Sequence, residues 1–172
     1  AGAEYLRGTR ASMRNDRPIV GIYNVNYVGS GDMYSKGGSM LHTLRQIVND
    51  DEKWRQILRD INKDFWHQVV EGAQIENYLS AKTGLNLKPF FDQYLRDVRI
   101  PVFEYYVKNN ELNYRWNNCV QGFNMPLKIR ISGKEVNLKP VSRWAKIKLD
   151  SENPQIVVDP DYYVAVFNIT GN

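Results

Sequence analysis

The sequence predicts an α+β fold in which a helical half is followed by a β-rich half. Apolar residues recur at helical spacing up to about residue 98, as in residues 40–48. Beyond Ile100-Pro101 the spacing alternates, and β-branched and aromatic residues dominate; Leu127–Ile131 shows one buried face most clearly. We therefore expect a helical unit over residues 1–100 and a small β-sandwich over residues 101–172.

Five helical segments are predicted in the first half, and capping residues bound most of them. Asp32 is expected as the N-cap of the second helix, Asp50 lies within the cap of the third, and Gly84 suits a left-handed C-cap of the fourth. Pro89 falls in the first turn of the last helix, where proline is tolerated. The predicted segments are Ala3–Met13, Met33–Val48, Asp51–Gln68, Ile75–Lys82 and Leu87–Val98.

Seven short strands are predicted in the second half, a number typical of β-sandwiches. Turns that contain Asn, Gly or Pro separate them. Because a unit of about 70 residues is small to fold alone, we expect the strands to pack against the helices. The predicted strands are Val102–Val107, Leu112–Trp116, Leu127–Ile131, Val136–Leu138, Trp144–Leu149, Ile156–Val158 and Tyr163–Ile169.

The composition excludes several classes of protein. The chain has 172 residues, of which 42% are hydrophobic and 12% aromatic, too many for a disordered chain. No apolar run approaches the roughly 18 residues of a membrane-spanning helix. The net charge of +4 comes from interspersed charges of both signs, so nucleic-acid binding is not indicated. The single cysteine, Cys119, excludes an internal disulfide and a thiolate zinc site.

Most familiar catalytic motifs are absent from the sequence. It has no His-Glu-x-x-His, no Gly-x-Ser-x-Gly and no phosphate-binding glycine loop. His42 and His67 lie on different predicted helices, so each is interpreted as a surface or interfacial residue, and no metal ligand is assigned. The loop from Gly29 to Gly31 opens a helix, and it is either a flexible linker or an anion site at a helix N-terminus.

One segment carries a distinctive combination of residues, Tyr34-Ser35-Lys36-Gly37-Gly38-Ser39-Met40-Leu41. It resembles the Tyr-x-Lys-Gly-Ala-x-Met-Leu segment of the aminopeptidase N family of zinc metallopeptidases. Upstream, residues 5–8 and 15–19 resemble the stretch between the third zinc ligand of the family and this tyrosine. Downstream, residues 83–95 resemble the Ser-Gly-x-Asp-Leu-x-x-Phe-Phe-x-Gln-Trp motif that closes the catalytic domain. The similarity runs in order over residues 5–172.

The resemblance implies a catalytic role for Tyr34. In the family, the matching tyrosine donates its phenolic O–H to the oxyanion of the tetrahedral intermediate, and Tyr34 is the one catalytic residue that we assign. We expect Tyr34 at the exposed start of its helix, and Lys36 in solvent or paired with a carboxylate. We expect Gly37 and Gly38 where the zinc-ligand helix approaches closely.

The resemblance also implies a larger parent protein. The family binds Zn²⁺ through His-Glu-x-x-His and a glutamate on the next helix, and neither these ligands nor the Gly-x-Met-Glu-Asn motif is in this sequence. The chain then corresponds to the helical end of a metallopeptidase catalytic domain followed by a β-sandwich. The parent is expected to hydrolyse peptide substrates at their N-termini, and this chain alone is expected to be inactive.

Two other interpretations are compatible with the sequence. The parent could keep the peptidase fold but serve as a non-catalytic module that binds proteins. The chain could also be a free-standing α+β interaction domain. The sequence leaves the cellular compartment and the oligomeric state open.

Overall fold

A computed structural model describes residues 2–22, 25–151 and 153–169. Within these ranges five α-helices and a 3-10 turn precede seven strands, which confirms the predicted α+β fold. None of the helices is long and apolar enough to cross a membrane. The helical elements are α1 (Gly2–Thr9), the 3-10 turn (Arg10–Ser12), α2 (Met33–Val48), α3 (Asp51–Asp64), α4 (Gly72–Thr83) and α5 (Lys88–Arg96).

All seven predicted strands are present, with bounds that differ from the prediction by at most two residues. They form a four-stranded sheet in the order β5-β2-β1-β7 and a three-stranded sheet in the order β4-β3-β6. The strands are β1 (Val102–Lys108), β2 (Glu111–Asn117), β3 (Leu127–Ile131), β4 (Lys134–Leu138), β5 (Ala145–Lys148), β6 (Ile156–Val158) and β7 (Ala165–Asn168).

All three residues predicted as caps lie at the ends of their helices, but the Asp32 side chain does not bond to the helix amides. The Asp50 carboxylate accepts a hydrogen bond from the Lys53 amide at 2.9 Å, and Gly84 ends α4 with a φ of 75°. Asp32 precedes α2 as predicted, but its backbone is already helical, with φ −69° and ψ −5°. A capping carboxylate needs an extended backbone to reach the helix amides. The Asp32 Oδ2 instead accepts from the Asn15 amide at 2.7 Å.

The third helix is shorter than its apolar pattern predicts. It ends at Asp64, whereas the sequence predicts a helix to Gln68. His67 has a φ of 54°, a left-handed conformation that interrupts a right-handed helix. Glu71 and Gln74 then form a reciprocal capping box, so α4 starts earlier than predicted.

The two sheets place the end of the chain beside its first strand. The hairpin of β1 and β2 sets Phe103 opposite Trp116. β7 pairs with β1 in parallel, with Val102 opposite Ala165. Since parallel neighbours need a crossover, the chain leaves β6 in the smaller sheet and returns to the larger sheet through residues 159–164.

This crossover packs against the helices. The Tyr94 hydroxyl of α5, fully buried, donates to the Tyr163 carbonyl at 2.7 Å. The Tyr163 amide donates to Thr43 Oγ1 of α2 at 2.9 Å. Arg10 donates to the Tyr162 carbonyl at 3.1 Å, and its guanidinium lies 5.4 Å from the centre of the Tyr163 ring. A single hydrophobic core therefore includes residues of both halves.

Candidate functional site

Tyr34 lies on the first turn of α2 and is 84% exposed. Within the described residues its hydroxyl makes no hydrogen bond, so it remains available as a donor to a molecule in solution. Tyrosine phenols donate a hydrogen bond at neutral pH. The position at the exposed start of the helix is the one expected from the sequence; the catalytic role of Tyr34 stays a prediction.

Lys36 is placed differently from the expectation. It is fully buried, and its Nζ donates to the main-chain carbonyl oxygen of Asp97 at 2.9 Å. The prediction that it reaches solvent or pairs with a carboxylate is therefore wrong. The reason is helical geometry. Each residue of an α-helix is rotated by about 100° about the axis, so side chains two positions apart lie on nearly opposite faces. If Tyr34 faces out, Lys36 faces the interior.

Burial changes the ionisation of Lys36. Loss of water around the ammonium lowers its pKa, and the negative charges of Asp32 and Asp97 oppose that effect. Asp32 is 7% exposed and is itself held by the Asn15 amide. The first turn of α2 therefore has a buried polar side beneath its exposed tyrosine.

The segment before α2 is packed rather than free. Gly29 and Ser30 are buried, and the Ser30 amide donates to the Pro18 carbonyl at 2.9 Å. The Ser30 hydroxyl donates to Asp16 at 2.9 Å. Gly29 has a φ of 75°, and a Cβ there would lie 2.6 Å from the Ile19 carbonyl oxygen, so only glycine fits. These contacts do not fit a flexible linker. The carboxylates of Asp16 and Asp32 lie close to the loop and disfavour the binding of an anion there.

The two glycines of α2 differ in their surroundings. A Cβ at Gly38 would come within 3.1 Å of the Leu6 side chain, so α1 approaches the helix closely there. A Cβ at Gly37 would have ordinary contact, 4.0 Å from the Ile19 side chain. Of these two glycines, only Gly38 has a described neighbour that approaches closely, and the approach of a zinc-ligand helix stays a prediction.

The fold is similar to part of an aminopeptidase. The crystal structure of Legionella pneumophila aminopeptidase A in complex with aspartic acid matches it with a TM-score of 0.60 at 13% sequence identity. The match covers 80% of this chain and 18% of that one, so the chain spans less than a fifth of the length of that protein. No protein-family model matches the sequence, and no curated protein is significantly similar to it. The similarity shows a shared fold.

The two histidines do not come together in the structure. His42 is buried, 8% exposed, with Nε2 3.5 Å from Asp161 Oδ1, and it is interfacial as expected. His67 is exposed in the loop after α3 and packs edge-on against Trp66. Cys119 is half-buried, and burial raises the pKa of its thiol, which keeps the thiol protonated and poorly nucleophilic.

The Asp97 carboxylate that follows α5 is paired with Arg99. The Arg99 Nη2 lies 2.7 Å from Asp97 Oδ2, and this hydrogen bond lowers the pKa of the Asp97 carboxyl, with partial burial opposing it. A carboxyl with a lowered pKa stabilises the fold above its unfolded pKa of about 3.9, and that contribution is lost as the pH falls through the folded value.

We therefore expect Asp97→Asn to lower the free energy of unfolding by about 0.5–1 kcal/mol at pH 7. The difference from the wild type should shrink as the pH falls below about 3.9. Urea unfolding of both proteins at pH 7 and in steps towards pH 3 measures it. Asp150→Asn, at an exposed carboxylate, is the matched control. A difference between Asp97→Asn and the wild type that is independent of pH would contradict the assignment.

Proposed function

We propose that this chain is the C-terminal portion of a zinc-dependent metallopeptidase of the aminopeptidase N family, which hydrolyses peptide bonds at N-termini. The observation that carries the proposal is the exposed phenol of Tyr34 at the position of the tyrosine in the family motif. The similarity of the fold to part of an aminopeptidase supports it. The proposal divides the chain into residues 1–100, the helical end of the catalytic domain, and residues 101–172, a β-sandwich domain.

The metal would be held outside this chain. No group of three or more His, Cys, Asp or Glu side chains that could hold an ion occurs in the ranges that the structure describes. The described residues therefore do not fit a zinc ion by themselves, and under the proposal its ligands belong to the upstream part of the protein. The reaction is assigned to the whole protein, and we expect the 172-residue chain alone to be inactive.

The role of Tyr34 follows from the chemistry of peptide hydrolysis. Attack of water on the scissile carbonyl turns its oxygen into an oxyanion, and a phenolic O–H can donate a hydrogen bond to that oxygen. A donor already in place binds the transition state more strongly than the substrate, an effect of about 3–4 kcal/mol for comparable donors. An exposed phenol on the first turn of an anchored helix is suited to this role.

The proposal predicts a metal-dependent aminopeptidase activity. The full-length protein that carries this sequence should release the chromophore from an aminoacyl anilide, lose that activity after treatment with a chelator, and regain it with Zn²⁺. The same anilide with a blocked amino group is the control for action at N-termini. The 172-residue chain should show no hydrolysis. If the zinc-loaded full-length protein were inactive on a panel of anilides, a non-catalytic module that binds proteins would replace the proposal.

A further inference from the structure

Lys36 occupies an unusual position for a lysine. Its side chain has no exposed surface, although it lies only two residues from the most exposed side chain of α2. Fully buried lysines are rare, because removing an ammonium group from water is costly unless the charge is compensated. No ion pair within 4 Å involves Lys36 among the described residues. The polar contact that its Nζ makes is the hydrogen bond to the Asp97 carbonyl.

An apolar side chain would fill this space without the cost of burying a charge. Replacing buried charged groups with apolar groups of similar volume is often neutral or stabilising. Packing alone therefore does not account for a lysine here. The amine does what an apolar side chain cannot, since it binds one main-chain atom at a fixed distance and direction.

That main-chain atom belongs to a well-anchored part of the fold. Asp97 directly follows the last residue of α5, and its carboxylate is held by Arg99 at 2.7 Å. The Arg99 carbonyl accepts from Gln93 Nε2 at 2.7 Å, and Gln93 Oε1 accepts from the Val120 amide at 2.7 Å. Gln93 is fully buried. The hydrogen bond of Lys36 thus joins the first turn of α2 to the end of α5 and to the loop after β2.

The rest of the first turn has few such contacts. The Lys36 amide donates to the Asp32 carbonyl at 2.8 Å, and Asp32 is in turn held by the Asn15 amide. Tyr34 itself is 84% exposed, so contacts of its own side chain do little to hold it. The position of the phenol therefore depends on the backbone of the first turn of α2, which the hydrogen bond from Lys36 to the Asp97 carbonyl links to the end of α5.

We infer that Lys36 is a positioning residue, which sets the place of the Tyr34 phenol through its hydrogen bond to the Asp97 carbonyl. This inference rests on the proposed function. Lys36 does not face solvent and does not touch the substrate; it acts through Tyr34. A small displacement of a catalytic group can lower the rate strongly, since about 1 Å can cost as much as 100-fold.

The test is a double-mutant cycle in the full-length protein. Lys36→Met keeps the length of the apolar stem and removes the amine. It should lower kcat by about 10- to 100-fold with little change in KM. In a Tyr34→Phe background the same change should have almost no further effect, because Lys36 acts only through the phenol. Lys63→Met, at an exposed lysine on α3, is the matched control and should leave kcat unchanged.

A second readout does not depend on activity. Hydrogen exchange of the amides of residues 36 and 37, the first that are bonded within α2, should become about tenfold faster in Lys36→Met, while exchange in the core strands stays the same. Should Lys36→Met fail to fold, Lys36→Gln takes its place; its side chain is one bond shorter and does not reach the Asp97 carbonyl, so we expect the same effects in both measurements.

The outcomes separate this inference from the proposed function. If Lys36→Met lowers kcat equally in the wild-type and Tyr34→Phe backgrounds, or matches Lys63→Met, the positioning role is wrong and the peptidase assignment stands. The positioning role is also wrong if Lys36→Met changes neither the hydrogen exchange of these amides nor kcat. If the wild type does not hydrolyse anilides, or Tyr34→Phe is as active as the wild type, the catalytic assignment fails first and the inference fails with it.

Discussion

Replacing Tyr34 with phenylalanine in the full-length protein is expected to lower kcat for an aminoacyl anilide by about 100- to 1000-fold. The substitution removes one hydroxyl and keeps the ring. Since Tyr34 is 84% exposed, the stability of the fold should not change. The hydroxyl is proposed to donate to an oxyanion that exists only in the transition state, so KM should stay within about twofold of the wild-type value.

The control for this prediction is another exposed tyrosine. Tyr5 of α1 is 73% exposed, and Tyr5→Phe should leave kcat and KM at their wild-type values. Steady-state kinetics of the three zinc-loaded proteins, with equal metal content verified, measure the effect. A Tyr34→Phe protein that is as active as the wild type would leave Tyr34 as a surface residue. A rise in KM with an unchanged kcat would assign it to substrate binding instead.

Among the proposed substitutions, Trp116→Ala is expected to lower the free energy of unfolding most. Trp116 of β2 is 1% exposed, and its ring lies 5.8 Å from the centre of Phe103 and 5.4 Å from that of Phe123. Its Nε1 donates to the Met125 carbonyl at 2.9 Å. The substitution leaves a cavity and a buried carbonyl without its donor. The free energy of unfolding should fall by about 3–5 kcal/mol.

Chemical denaturation of the wild type and the variant measures this loss. Trp66→Ala is the matched control, because Trp66 is 69% exposed in the loop after α3, and its removal should change the free energy of unfolding by less than about 0.5 kcal/mol. A similar effect of the two substitutions would contradict the placement of Trp116 at the centre of the core.

Local signals in the sequence predicted most of the elements. The bounds of α2 match the prediction, and Asp50 and Gly84 cap helices as expected. These features depend on residues a few positions apart, so a single sequence contains them. The end of α3 was mispredicted because Phe65 continues the apolar spacing, whereas the chain turns at His67 through a left-handed backbone that histidine adopts only occasionally.

The candidate site was predicted in part. The motif resemblance identified Tyr34, and its exposed place on the first turn of α2 is the expected one. The burial of Lys36 could have been found from the same geometry, since an exposed residue at position 34 requires an inward residue at position 36. Its partner could not, because the Asp97 carbonyl is a main-chain atom 61 positions away, and no side-chain pattern marks it.

By itself, the sequence determined the α+β class, the order of helices and strands and most of their ends, because hydrophobic periodicity, caps and turn residues act over a few residues. Only the tertiary structure decided that β7 pairs in parallel with β1, and that the chain between β6 and β7 packs on α2 and α5. It also decided that the Lys36 amine is buried and bonded to the Asp97 carbonyl. These contacts join residues far apart in the chain, and their partners are set by the packing of the whole core.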